Sequence, residues 1–536
     1  MIKAKPALLV SIILFSLITS CSQQPVFSQK SGSYDLVKDF NARPDNKTDN
    51  YAAFVKAADV ISKAGGGVLN IPKGQYFIAA YKGMTTDKQV QIADVVFRNC
   101  KNLTIIGNNS VVRLNGNFSR NRDYQAPGLP YNYAFNNTVC PFKLVNCKNV
   151  LIRDITLYGE ADKMKKQAGV VEGENYGIVI SDEEPTDISS KIVLQNITAH
   201  HFAADGFLIR SSGEDILINN CKACNNARQG LSIVKGHNIR VLNSIFDSTG
   251  KTGAYGWHGP GAGIDIENEF GPGKLTDVLI KNCMMRGNTG YQIVTTLPSE
   301  RVIIDSCFIS DSTWGYSDAL NGVGMYSLNS TLSNCILFAG IQVDINDQVY
   351  KGPFVQQINN NIIYSGRRAI VSADYQRPVN ITGNILVMLP KPKMDDYFPY
   401  IQNPNCSFNR NIVVVHADRL KEYPNQVTSL VQYGKEAIND FWLTNGYSIP
   451  VDKQRAVSYM TAMNGTKLIK DHFFSPSDVV ARFSFNRTIF LTDVQVKEIL
   501  SRELITAYKQ SSLNRKYLLQ ANELRRYAAG IVAEAK

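Results

Sequence analysis

The stretch GPGAGIDIENE, residues 259–269, sets Asp265 and Glu267 two positions apart with Ile264 and Ile266 interleaved. In an extended strand alternate side chains point to opposite faces, so the isoleucines go inward and both carboxylates share the outer face. Acids at this spacing lie about 6.5 to 7 Å apart at the backbone. That overlaps the separation of about 6.5 to 9.5 Å at which one carboxyl protonates a leaving glycosidic oxygen while the other activates water, with inversion at the sugar carbon. The same pair, with Asn268 or Glu269 beside it, offers hard oxygen ligands for Ca²⁺. Two solvated surface acids would show the same spacing.

Other groups converge on this segment. Asp205, in HHFAADGFLIRSS, precedes it by two repeats as an auxiliary acid, and Arg228-Gln229 precedes it by one, where Arg228 could grip an anionic group. Upstream of the acids, STGKTGAYGWHGPGAG carries Lys251, Tyr255, Trp257 and His258. Elimination on a uronate needs a cation or metal against the carboxylate, a base for the C5 proton and an acid for the leaving oxygen, roles that Lys, Arg, His and Tyr can fill. Trp257 and Tyr255 could stack on sugar faces, although Gly and Pro in such a segment also simply make turns. Hydrolysis through Asp265 and Glu267, and elimination through His258, Lys251 or Tyr255, are both open on these residues. His200 and His201 follow a bend and read as structural.

A repeat must position these groups. LINNCKA, LIKNCMM, IIDSCFI and TLSNCIL align with VLQNITA, RVLNSIF, QINNNII and NITGNIL, giving a column of Asn196, Asn220, Asn243, Asn282, Ser306, Asn334, Asn360 and Gly383. A period near 24 residues, short β-rich segments and a recurrent Asn at the bend predict an all-β chain, a parallel β-helix in which each coil stacks on the last. The following column, with Cys221, Cys283, Cys307 and Cys335, places thiols as small core residues, free rather than bridged. Cys221 and Cys224 have no second ligand pair at metal spacing, so no metal site is assigned to them.

A second strand recurs as YGIVIS, DGFLIR, QGLSIV, AGIDIE and TGYQIV. Its outward rows read Val179, Leu208, Ser232, Asp265, Gln292 and Ser181, Arg210, Val234, Glu267, Val294, so Gln229 and Gln292 join Arg228 as candidate substrate contacts. The longest insertions, about 117–139, 160–174, 247–261 and 312–321, all leave between the Asn bend and this strand. They are expected to wall a groove floored by it.

Ahead of the coils, residues 39–78 read DFNARPDNKTDNYAAFVKAADVISKAGGGVLNIPKGQYFI. Asp39-Phe40, Ala42, Asp45, Thr48-Asp49, the Gly65-Gly66-Gly67 turn, Pro72, Gly74 and Tyr76 resemble the opening of the pectate-lyase-like superfamily of right-handed β-helices. Asn41 and Asn46 stand where glycines are usual in it, and Asn50 where a second acid is usual. The resemblance implies a right-handed coil capped by a helix over 49–63, with Ala53, Phe54, Ala57 and Ile61 inward. It also implies carbohydrate-directed activity. Ala204-Asp205-Gly206 is similar to the first acidic motif of the superfamily's polygalacturonases, but Ala227-Arg228-Gln229 and Gly261-Ala262-Gly263 replace their acid pair and Gly-His-Gly. That mechanism does not carry over beyond Asp205.

The N-terminus has Lys3 and Lys5, an apolar run from Leu8 to Ile18 and Ile18-Thr19-Ser20-Cys21, and resembles a bacterial lipoprotein signal. Residues 1–21 would then be removed up to a lipidated Cys21, 22–33 would be a tether, 34–390 the capped β-helix, and 391–536 a last coil and a helix-containing region. The implied location is the bacterial cell envelope. A formal net charge of +11 suits a polyanionic glycan, and no basic stripe suggests nucleic acid. The expected function is cleavage of an acidic polysaccharide by hydrolysis, alternatively by elimination. The third alternative is a non-catalytic glycan-binding or structural surface protein.

Overall fold

The computed structural model describes residues 32–79, 94–114, 140–163, 175–183, 188–251, 259–313, 315, 321–343, 354–372, 378–388, 400–401, 406–409, 411–416, 442–443 and 487–491. Every strand pairing among them is parallel, and the chain winds as a right-handed β-helix. One coil shows the plan. The chain runs along 192–195, bends at Asn196, continues along 197–200, bends at His201, and follows the third face from Asp205 to a last bend near Asp215.

Register makes the core. Ile192, Ile216, Ile239, Val278 and Val302 stack on the first face. Ala199, Ala223, Phe246, Met285, Ile309 and Leu337 stack on the second. Ile178, Phe207, Leu231, Ile264, Ile293 and Val323 stack on the third. All are buried, and each large side chain withdrawn from water contributes about 1.5–3 kcal/mol.

The bends explain the Asn column. Seven of its eight members have φ between 51° and 57°, and Gly383 has 72°. Asn tolerates this left-handed conformation better than other L-residues, because its short amide can hydrogen-bond locally. Here Asn243 donates to Asn219 at 3.0 Å and Asn334 to Asp305 at 2.7 Å. Two further left-handed columns close each coil, one at His201, Asn225, Ser248 and Gly287, the other at Asp215, Asn238, Asp277, Arg301 and Asn329.

All nine described cysteines are buried thiols, as the stacked-core reading expects. Past Cys335 their column changes to Asn361, Asn384 and Asn411. Each of these amides accepts the backbone N–H one coil back at 2.9 Å, a ladder of satisfied buried groups.

The N-terminal departures have a physical cause. Asn41 and Asn46 sit at φ 59° and 58°, the region where glycine is otherwise favoured. Asn50 is buried. Its side chain accepts the Arg43 N–H at 2.6 Å and donates to the Arg43, Thr48 and Phe77 carbonyls, tying three segments together where an acid would have no hydrogen to donate. Helix α1, Tyr51–Lys63, buries Ala53, Phe54, Ala57, Ala58 and Ile61, and Phe54 meets Tyr76 and Phe142 edge-on.

One boundary moves. Ser33, expected in the tether, already pairs with Val68 in a strand. Beyond residue 390, Cys406–Asn409 and Ile412–His416 form a further coil where a last coil is expected, and Arg487–Leu491 stacks on Ile412–His416. The expected C-terminal helices, the leader and Cys21 lie outside the described residues. No helix among the described residues is long and apolar enough to cross a membrane.

Candidate active site

On four successive coils the third face opens with glycine, at 177, 206, 230 and 263. Successive backbones approach so closely here that a Cβ on Gly230 would stand 2.5 Å from the Gly263 carbonyl oxygen. This close approach sets the start of the face and stacks the side chains flanking it.

Asp205 is fully buried. Arg228, one coil on, donates to it from Nε at 2.9 Å and Nη2 at 2.6 Å, while Ser232 lies 2.8 Å from the same Oδ2. Ser232 also contacts the Gln229 amide oxygen, and Gln229 Nε2 reaches Asp265 Oδ2. Residues of three coils thus join in one polar cluster. Ser232 is paired in register with Asp265, which it lies directly beneath. The sequence row contains Ser232 between Leu208 and Asp265 but gives it no role. The signal was a polar outward residue in the same row as an acid.

Asp265 and Glu267 part company. The expectation that both open onto a groove is corrected for Asp265, which is 3 % exposed, whereas Glu267 is exposed. Burial, then the charge of Glu267, pushes the Asp265 carboxyl well above its ordinary value of 3.8, with Asp205 and Glu269 acting in the same sense and Arg228 opposing. One short segment therefore carries a desolvated acid and, just past the end of strand Ile264–Ile266, a solvated one.

Other expectations also change. Arg228 does not stand open for a substrate anion; its guanidinium is committed to Asp205, with the Tyr176 ring 5.9 Å away. Gln292 is not a surface contact. The register slips by two from the expected alignment, so Val294 rather than Gln292 pairs with Asp265. Gln292 is fully buried, with its amide bonded to Asn288 and to the Gly290 and Asn321 carbonyls. The slip arises because Gly290 serves a different close approach, against the Pro260 carbonyl.

The calcium alternative gains no donor set. Among the described residues no group of three or more His, Cys, Asp and Glu side chains could hold a metal ion, and the Asn268 oxygen accepts the Phe270 N–H at 3.0 Å. Lys251 is described and exposed, while Tyr255, Trp257 and His258 lie outside the described residues, as do most of the expected groove walls. His200 and His201 pack as the structural reading expects. His200 stacks on Tyr158 with centroids 4.8 Å apart, and its Nδ1 meets that of His201 at 2.8 Å.

No family model matches the chain. A 24 % identity over 267 residues links it to the SPbeta prophage-derived uncharacterized protein YomE of Bacillus subtilis (strain 168), covering 50 % of this chain and 35 % of that protein; the chain thus spans about a third of that relative's length. Similar solved structures include the Azotobacter vinelandii mannuronan C-5 epimerase AlgE4 A-module, at 15 % identity and TM-score 0.41, covering 71 % of this chain and 94 % of that one. Pectate lyase Pel9A is similar at 12 % identity and TM-score 0.36, covering 66 % and 73 %. The endo-xylogalacturonan hydrolase of Aspergillus tubingensis is similar at 10 % identity and TM-score 0.38, covering 72 % and 95 %.

Proposed function

We propose that the chain hydrolyses an acidic polysaccharide at the third face, with Asp265 as proton donor and Glu267 as the base that activates water. One observation carries this reading: two carboxylates two residues apart occupy opposite environments, one buried and driven toward its neutral form, the other exposed. Environments that push paired acids apart are what separate a general acid from a general base at one pH. Proton delivery requires the glycosidic oxygen to come within hydrogen-bond reach of the Asp265 carboxyl. Asp205 supports the site from beneath, through Arg228 and Ser232, rather than by touching substrate. We propose further that Cys21 is lipidated and tethers the chain to the cell envelope, where extracellular glycans are met.

The test is a panel of uronate-containing and neutral glycans, read for new reducing ends and for ultraviolet absorbance of an unsaturated product. Reducing ends without absorbance, lost by about 10²–10⁴-fold in Asp265→Asn and in Glu267→Gln, are expected. Absorbing product would replace hydrolysis with elimination. Binding without product from any glycan would point to a non-catalytic glycan-binding protein.

A further inference from the structure

Hydrogens can be counted along the cluster. Ser232 has one hydroxyl hydrogen and is 3 % exposed, yet its oxygen lies 2.8 Å from Asp205 Oδ2 and also contacts the Gln229 side-chain oxygen. With the Gln229 NH₂ turned toward Asp265, that hydrogen serves one of the two acceptors. The other pair of oxygens then meets lone pair to lone pair in a buried setting, where an unmet polar contact costs most. Both oxygens of Asp205 already serve as acceptors for Arg228, so the arrangement at the Gln229 end is the one free to change.

Turning the Gln229 amide by 180° removes the conflict, because its two ends are nearly equal in size and every contact survives. Nε2 then donates to Ser232, Ser232 donates to Asp205, and the amide oxygen faces Asp265 Oδ2. That last contact is a hydrogen bond only if Asp265 carries a hydrogen.

We propose that Gln229 and Ser232 are positioning residues that hold Asp265 protonated through a one-way chain of hydrogen bonds, Asp265 to Gln229 to Ser232 to Asp205, anchored by Arg228. The charged groups around Asp265 are Glu267 and Glu269 on its own segment and Asp205 and Arg228 on the preceding coils; its register neighbour on the next coil, Val294, has no charge. To serve a leaving oxygen, Asp265 turns its one hydrogen away from Gln229; once that proton is given up, the amide turns back to donate to the new carboxylate. The Ser232 hydroxyl then swings to the amide oxygen and away from Asp205. Proton release is thereby coupled to two side-chain rotations.

The chain takes its functional meaning from the acid role proposed for Asp265, but its test reads protonation and needs no turnover. Infrared difference spectra of the full chain across pH, with Asp265→Asn assigning the protonated-carboxyl band, give the midpoint for Asp265. Ser232→Ala is expected to lower that midpoint by about one unit or more, since the lone-pair conflict in the deprotonated state disappears with the hydroxyl. Burial alone acts in the opposite sense, because a methyl solvates a carboxylate worse than a hydroxyl does. An unchanged or raised midpoint in Ser232→Ala overturns the proposal. If that variant does not fold, Ser232→Gly, which also removes the hydroxyl, is read in the same way. A preserved chain in a protein that cleaves no glycan would count against the proposed function alone.

Discussion

Arg228 reaches back one coil and holds both carboxylate oxygens of Asp205, with Nε 2.9 Å from Oδ1 and Nη2 2.6 Å from Oδ2. Asp205 is wholly buried and the Arg228 side chain about one-fifth exposed. A charge taken this far from water persists only when it is paired and hydrogen-bonded. The pair fixes the floor on which Ser232 and, through Gln229, Asp265 are set.

Removing one partner should therefore cost far more than removing both. Arg228→Met leaves an uncompensated buried carboxylate and is expected to destabilise the fold by about 3–5 kcal/mol, whereas Arg228→Met with Asp205→Leu should recover most of the loss. Denaturant unfolding of the two variants checks this. A single variant as stable as the parent chain would show that the pair bears no load.

Asp265 should make stability depend on pH in a definite direction. Its unfolded form releases a proton near 3.8, while the folded form holds it to higher pH. Above about pH 4 the folded state thus binds more protons than the unfolded one, and stability falls as pH rises toward the folded value. The contribution is complete below the unfolded value and lost as pH climbs through the folded one. Asp265→Asn, neutral throughout, should gain on the parent chain as pH rises from about 4 through the folded value. Thermal melts across that range measure the gap, and a gap that does not change with pH would reject the shift.

The Asn bends should prefer glycine to alanine. Asn220 has φ 53° and donates to Asn196 on the neighbouring coil. Asn220→Ala combines left-handed strain of about 1–2 kcal/mol with the loss of a hydrogen bond worth about 1 kcal/mol. Asn220→Gly should avoid the strain and lose only the bond, as Gly383 does at the equivalent bend. Unfolding free energies in the order parent, Gly, Ala are expected; Ala equal to the parent would mean that the bend does not need the left-handed conformation.

Much of the scaffold was legible because it repeats. The Asn column, the stacked thiols and the inward isoleucines each recur at a near-constant step, and every coil presents the same steric problem at the same place. Two further left-handed columns were not read: one, Asp215, Asn238, Asp277, Arg301 and Asn329, is mostly Asn and Asp but broken by Arg301, and the other, His201, Asn225, Ser248 and Gly287, has members that share no side-chain chemistry. What they share is a backbone angle, which residue type reports only loosely.

The candidate site was legible as a set of residues and illegible as an arrangement. Sequence alone placed Asp205, Arg228, Gln229 and Asp265 on successive coils of one face, because the period of the coil and the alternation of the strand are local rules. Only the tertiary structure decided that Asp265 is buried while Glu267 is not, that Arg228 turns to Asp205, that Ser232 bridges them and that Gln292 is packed away. Those outcomes depend on how coils distant in sequence stack, and on where a two-residue slip restores the fit of one backbone against the next. Solvent access and pairing of charge belong to the assembled stack rather than to any one of its turns.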